Sequence, residues 1–212
     1  MSDDLLYVPH FNAMPADEAR GFVADVGTAQ LVTVGADGLP DATLLPVLWR
    51  GDTLVGHFAR ANPQWRRIVD GSPALAVVTG PDAYVSPSFY ATKVEHGRVV
   101  PTWNYSTVHL RGPVRIVDDT VWLRALVGEL TDHHESRRAA PWAVEDAPAT
   151  YVEKQLRAIV GVELVVESVQ AKAKLSQNRS AEDRAGVVAG LLGTPGEPVA
   201  RAMEALGSRA DA

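Results

Sequence analysis

The sequence predicts a mainly β fold with flanking helices, of the α+β kind, in which six or so mostly antiparallel strands close into a barrel. Three observations carry this. Apolar, β-rich runs recur at 28–34, 42–50, 53–58, 73–80, 106–117 and 158–169. Turn residues punctuate them, with Asp37-Gly38 between the first two and Arg50-Gly51-Asp52 between the second and third. Such hairpin connections make neighbouring strands antiparallel, and helices then decorate the barrel.

In chain order, residues 15–25 read as a first helix, with Pro15 near its start and acids in its first turns. The meander TAQLVTV, ATLLPVLWR and TLVGHF follows. Asn62-Pro63 fits a helix cap followed by proline, and the spacing predicts a helix through QWRRIVD that stops near Gly71. PALAVVTG (73–80) is the fourth strand. Residues 81–106 read as one long connection, a length associated with binding loops. The strand 106–117 carries a bulge or bend at Gly112-Pro113. Leu123, Leu126, Val127 and Leu130 recur at helical spacing over 118–130. A short helix at 149–158, a strand at 158–169 and tail helices at 181–192 and 197–206 complete the order.

Composition bounds the chemistry. The chain has 212 residues, 46% apolar and 22% charged, which suits a globular domain with a real core. The longest apolar runs fall far short of a bilayer crossing. The start, MSDDLLYVPHF, carries acids where a secretory signal carries Lys or Arg, so a cytoplasmic location is expected. There is no cysteine, which excludes disulfides, zinc–cysteine sites, iron–sulfur clusters and thiolate catalysis. The net charge of −6 does not favour phosphate-backbone binding. The tail helices could be read as helix-turn-helix. Yet 181–212 holds five acids (Glu182, Asp183, Glu197, Glu204, Asp211) and three arginines (184, 201, 209), so direct DNA binding is not expected.

Phosphate-loop, dinucleotide and nucleophile-elbow patterns are absent. His133-His134-Glu135 lacks zincin spacing, because Arg138 stands where a second histidine is needed, and it reads as an exposed helix end. Three clusters remain. His57, Arg60 and Asn62-Pro63 suit an anion at a helix start, or else a packed histidine beside a surface arginine. Trp103, Asn104 and Tyr105 in PTWNY offer flat walls and polar edges for a planar ligand, or else core packing. In AKAKLSQN, Lys172, Lys174, Ser176, Gln177 and Asn178 could grip anionic groups just after a strand, or form a solvated turn.

Taken together, YVPHF (7–11), GHFARANPQW (56–65), GPDAYVSPSFY (80–90), VPTWNY (100–105), QLRAIVGVE (155–163) and KLSQNRS (174–180) resemble the PaiB-type proteins, FMN-binding negative transcriptional regulators. The match runs from about residue 7 to 192. The resemblance implies a split β-barrel of the FMN-binding type over residues 1–180, with 181–212 as a helical appendage of the same domain. It also implies a homodimer with its cofactor sites near the subunit interface. One departure stands out: the family's Thr-His-Leu-Pro pattern reads Thr-Leu-Leu-Pro at 43–46, with Leu44 replacing a polar ring.

That departure points to the family's haem-using branch, the piperazate synthases, which close L-N5-hydroxyornithine into a cyclic hydrazine. On this reading the cofactor is haem b and His57 is the iron ligand. Arg60 and Asn62 would take the propionates, Leu45 and Pro46 would line the cofactor, and Trp103, Asn104 and Tyr105 would wall it. Lys174, Ser176, Gln177 and Asn178 would hold its anionic groups. Tyr90 and Lys93 would supply the proton for the departing hydroxyl or grip the substrate carboxylate. The alternative is FMN, in a negative transcriptional regulator or a flavin oxidoreductase.

Overall fold

The computed structural model describes residues 6–210, with side chains through residue 207. The acidic start at 1–5 and Asp211 lie outside the described residues, as does the side chain of Arg209. The chain forms two compact units. The barrel unit takes Arg20–Val78 and His109–Val169. The second unit takes Thr79–Val108, the chain from Gln170 onward and the chain before Arg20.

Seven strands are present: β1 (Thr28–Val34), β2 (Pro40–Arg50), β3 (Thr53–Ala59), β4 (Ser72–Val85), β5 (Thr102–Val117), β6 (Ile159–Val165) and β7 (Ser168–Lys174). Their order is β4-β1-β2-β3-β6-β5-β7, and β4 also pairs with β5, so six strands form a closed circuit. The pairs β1–β2, β2–β3, β3–β6 and β5–β6 are all antiparallel. Six helices flank the strands: α1 (Ala16–Val26), α2 (Lys93–His96), α3 (Thr120–Glu135), α4 (Ala149–Leu156), α5 (Ala181–Leu191) and α6 (Glu197–Ala210).

Period-2 alternation sends Ala29 and Leu31 of β1, Leu45 and Val47 of β2, Leu54 of β3 and Val162 and Leu164 of β6 inward. Among them they leave a void of only about 10 Å³. The barrel interior is therefore a filled core, and ligand chemistry in this unit belongs on its outer face.

Three expectations are corrected. The helix expected over 64–70 is a single 3-10 turn, Gln64–Arg67, after which Ile68 is already extended. The reason is Gln64, whose buried amide donates to Leu31 O and Thr33 Oγ1 at 3.0 Å each and accepts from Thr43 Oγ1. Those long-range bonds pin the turn to β1 and β2 and outweigh local helix propensity. The expected strand 158–169 is two strands, β6 and β7. Between them Val166 N donates to Asp52 O and Glu167 N to Arg111 O, which turns the chain. Lys172 and Lys174 thus lie on a strand rather than after one. The connection expected over 81–106 shrinks to 86–101, because Ala83 and Val85 continue the buried alternation of β4 and β5 begins at Thr102.

In the barrel unit, α3 starts at Asp119, whose carboxylate accepts the Trp122 amide at 2.7 Å. It buries Leu123, Leu126 and Leu130, the residues that predicted it. In the second unit, Val187 and Leu191 of α5 and Val199, Ala200 and Met203 of α6 form one core with Ala83, Val85, Tyr90 and Leu175. The tail helices are thus packed elements of the second unit.

Substituting Gln64 by alanine strands a hydroxyl and main-chain carbonyl groups in the barrel wall. We expect Gln64→Ala to cost about 2–3 kcal/mol by urea denaturation. A loss under about 0.5 kcal/mol would show that the turn is held by something else.

Candidate functional site

The barrel unit carries His57 on β3. Its inward neighbour Phe58 is fully buried in the core, so alternation aims His57 outward. On that outer face Val55 packs against Leu126 and Leu130 of α3. His57 stands opposite Gly161 of β6, and one residue beyond the Val47–Gly56 pair it meets Pro46 of β2. A Cβ at Gly161 would lie 2.2 Å from the Trp122 ring, so only glycine lets α3 approach this closely. Trp122 Nε1 then donates to Glu163 Oε1 at 3.0 Å, which fixes the helix on the sheet.

The result is a recess of about 300 Å³ between β2–β3 and the end of α3. Pro46, Val127, Leu130 and Trp142 give it apolar walls, and His57, Thr131, His134 and Glu135 supply the polar groups. His57 Nδ1 is buried and has no hydrogen-bond partner. Burial holds its pKa below the ordinary 6.5 and outweighs the nearby Phe58 backbone, which favours the cation, so the imidazole is kept neutral. A neutral imidazole at the edge of such a recess is the state a metal ligand requires.

The end of α3 is fastened to the end of α1. His133 Nε2 lies 2.9 Å from Ala24 O, and Arg137 pairs with Asp25 at 2.9 Å. Gly27 has a positive φ of 67°, and a Cβ there would lie 2.7 Å from the His134 ring. The bare Gly27 backbone thereby sets the position of His134. The exposed His-His-Glu run is thus partly a recess wall, a role that its sequence did not reveal. Among the described residues no three metal-ligating side chains converge.

The other predicted residues of this unit have separate tasks. Arg60 pairs with Asp118 at 2.5 and 3.0 Å and donates to Arg157 O and Ile159 O. Asn62 accepts from Gln64 N and donates to Thr43 Oγ1, both at 2.9 Å, and with no α-helix following, no helix dipole stands there. Leu45 points into the filled core, whereas Leu44 is 58% exposed. Of the four, Pro46 lines the recess.

The second unit holds the remaining predicted residues, with Trp103, Asn104 and Tyr105 on β5 and Lys174 on β7. Trp103 and Tyr105 share one face of β5, and Asn104, fully buried on the other, bonds Ser176 Oγ at 3.0 Å. Ser176 is therefore a buried structural partner, with a left-handed backbone at φ 64°. Gln177 donates to Ala173 O and accepts from Leu175 N, while Asn178 is exposed. Lys174 donates to Thr102 Oγ1 and to Trp103 O. Tyr90 is 2% exposed, with its hydroxyl unpartnered in the core and the Arg179 guanidinium 4.6 Å from its ring centre. Lys93 is exposed and donates to Ser88 Oγ at 3.1 Å.

Residues 6–168 match a family model described as "Putative FMN-binding domain". The chain is 34% identical over 191 residues to the protease synthase and sporulation protein PAI 2 of Bacillus subtilis, covering 86% of this chain and 87% of that protein. It is 35% identical over 169 residues to an uncharacterised protein of Emericella nidulans, 66% of this chain and 67% of that protein. Two solved structures share the fold. The FAD and heme binding protein from Mycobacterium smegmatis superposes with a TM-score of 0.59 at 20% identity, over 83% of this chain and 79% of the other. The flavocytochrome Anf3 from Azotobacter vinelandii superposes with a TM-score of 0.55 at 17% identity, over 83% and 76%.

The state of His57 sets a pH dependence. Its folded pKa lies below 6.5, because burial disfavours the cation. The unfolded chain therefore takes up the proton first, and the stability linked to His57 is complete above about pH 6.5 and lost as pH falls through the folded pKa. His109, also lowered by burial and by Arg111, acts in the same direction. We expect the urea midpoint to fall between pH 7.5 and 5.5, and to fall less in His57→Phe. An equal fall in both proteins would contradict a neutral buried His57.

Proposed function

Because the chain belongs to this FMN-binding-domain family, of the PaiB type, we propose that it is a cofactor protein that holds haem b in the barrel-unit recess, with His57 as iron ligand. The observation that carries this is the place of His57, a partly buried imidazole kept neutral by burial at the edge of a recess with apolar walls. The donor set fits: one imidazole kept neutral by burial, in a chain without cysteine. Two proteins of the same fold, described as binding FAD and heme and as a flavocytochrome, support the reading.

The reaction we assign is ring closure of L-N5-hydroxyornithine to L-piperazate. The α-amino nitrogen forms a bond to N5, the N5–O bond breaks, and the oxygen leaves as water with one proton from the α-amine and its own hydrogen. No external oxidant or reductant is needed. When bound, haem would supply an electrophilic iron that weakens the N–O bond. The chain's own residues do the rest. Pro46, Val127, Leu130 and Trp142 exclude water, and burial keeps His57 from competing for protons.

His134 and Glu135 border the same recess and can hold or pass the proton to the departing oxygen. Glu135 is oriented for this by the Trp142 amide at 3.1 Å and by Arg138. A recess of about 300 Å³ is at the small end of ligand sites and encloses only part of a macrocycle. The homodimer is the assembly in which we place the remainder. Among the described residues no helix is long and apolar enough to cross a membrane, and we place the work in the cytoplasm, on a small amino-acid substrate rather than on DNA.

Hemin titration tests the cofactor. We expect a Soret band in the full chain, and a weakening of roughly tenfold or more in hemin affinity for His57→Ala. Incubating the hemin-loaded protein with N5-hydroxyornithine should then give a product lighter by one water. A purified protein that carries flavin and takes up no hemin would overturn the haem reading in favour of an FMN-dependent regulator or oxidoreductase.

A further inference from the structure

In the barrel unit, the recess beside His57 is bordered by a strap, residues 136–143, which leaves the end of α3 and rejoins the core at Val144. Residues 136–142 are all exposed, and Ala139, Ala140 and Pro141 have little to bury there. Val144 is the far anchor, packed with Leu123, Val152 and Leu156. Beside it Ala143 N donates to Asp146 Oδ2 at 2.9 Å. Trp142, 47% exposed, is the strap residue that lines the recess.

Glu135 fastens this strap. Its Oε2 accepts the Trp142 amide at 3.1 Å, and its Oε1 pairs with Arg138 Nε at 3.1 Å, so both donors belong to the strap itself. Arg138 is 67% exposed, and the further tie of Arg137 to Asp25 joins side chains that are 80% and 69% exposed. Ion pairs so open to water contribute little. Among the described residues that line the recess, Glu135 is also the one carboxylate. The group that offers negative charge to a ligand is thus the group that holds Trp142. A ligand ammonium would be a second cation on that carboxylate, competing with a weakly held Arg138. Its bond carries charge on both sides and forms beside apolar walls, whereas the Trp142 amide carries none.

We propose that Glu135 is the latch of this strap, and that a cationic nitrogen on the ligand of the recess opens it. The ammonium takes the carboxylate, Arg138 and the Trp142 amide are released, and the strap lifts Trp142 from the recess. In the empty protein the latched strap keeps Glu135 occupied. With ligand present, Glu135 meets the ammonium whose proton ring closure must remove, and the ligand takes over from the indole in excluding water. Arg138 is a positioning residue of the latch. The proposal rests on this recess being the substrate site, and it does not depend on which cofactor the protein holds.

Hydrogen exchange of the Trp142 amide, followed by NMR in the full chain without hemin, reads the latch directly. We expect this amide to exchange roughly three- to tenfold more slowly in the wild type than in Glu135→Ala. L-Ornithine carries ammonium groups and no N–O bond to react, and at millimolar concentration it should remove that protection. Its doubly N-acetylated derivative has the same carbon chain and no cation, and should leave the protection in place. Glu135→Gln, whose amide oxygen still accepts from Trp142 N, should keep the protection and lose the ornithine response. Arg138→Ala should respond at lower ornithine concentration, and His57→Ala should change neither property.

A Trp142 amide that exchanges as fast in the wild type as in Glu135→Ala would overturn the proposal, because the strap would then have no latch. Protection that survives ornithine, or that is lost equally with the acetylated derivative or in Glu135→Gln, would overturn it as well, because a cation would then not be the key. Circular dichroism of each variant, with Glu135→Gln as the conservative control, separates a lost latch from a lost fold. Every arm runs without hemin. A protein that fails to take up hemin therefore leaves the latch standing, and a failed latch leaves the haem reading to its own titration.

Discussion

The contact on which the barrel-unit site depends is that of Trp122 over Gly161. A helix packed on the outside of a small barrel normally stands off by the length of the sheet's side chains. Here β6 presents no side chain at that point, and the Trp122 ring takes the space that a Cβ would fill. Glu163 then holds the indole nitrogen while Arg115 holds Glu163. With α3 pinned low at its start and tied to α1 at its end through His133, the wall of the recess and the height of His134 above His57 are set by backbone geometry. The rigidity comes from packing and satisfied polar groups, and leaves His57 bordering the recess with a neutral imidazole.

Among the predicted residues of the same unit, Gln64 is satisfied by β1 and β2, Asn62 by Thr43 and the turn, and Arg60 by Asp118 and two carbonyls, whereas Trp49 Nε1 and Ser72 Oγ are also buried without a partner. A buried orphan costs stability, and structures retain such costs where something else binds.

Much of the fold was legible because its determinants are local. The Asp37-Gly38 turn works through an Asp37 carboxylate that accepts the Leu39 amide and a Gly38 φ of 78°, both coded within five residues. The helical spacing of Leu123, Leu126 and Leu130 likewise reports the buried face of α3 directly. The errors fall where partners are distant in sequence. The turn at Gln64 is decided by β1, over 30 residues away, and the division of 158–169 into two strands by Asp52 and Arg111.

The site shows the same limit. His57 was legible as chemistry, because a histidine in an apolar strand is unusual. Its outward aim follows from period-2 alternation once Phe58 is known to be core. His134 was not legible, because its place depends on the bare backbone of Gly27, 107 positions earlier. Arg60 read as a free anion ligand because Asp118 cannot be recognised as its partner from spacing. The central claim, that His57 is an iron ligand rather than a packed imidazole, is tested most directly by NMR of histidine-¹⁵N-labelled protein during titration with diamagnetic zinc protoporphyrin. The account predicts that the His57 ring signals alone among the six histidines move to metal-bound positions, with ring-current shifts to high field. His57 signals that stay in place while the porphyrin binds would contradict it.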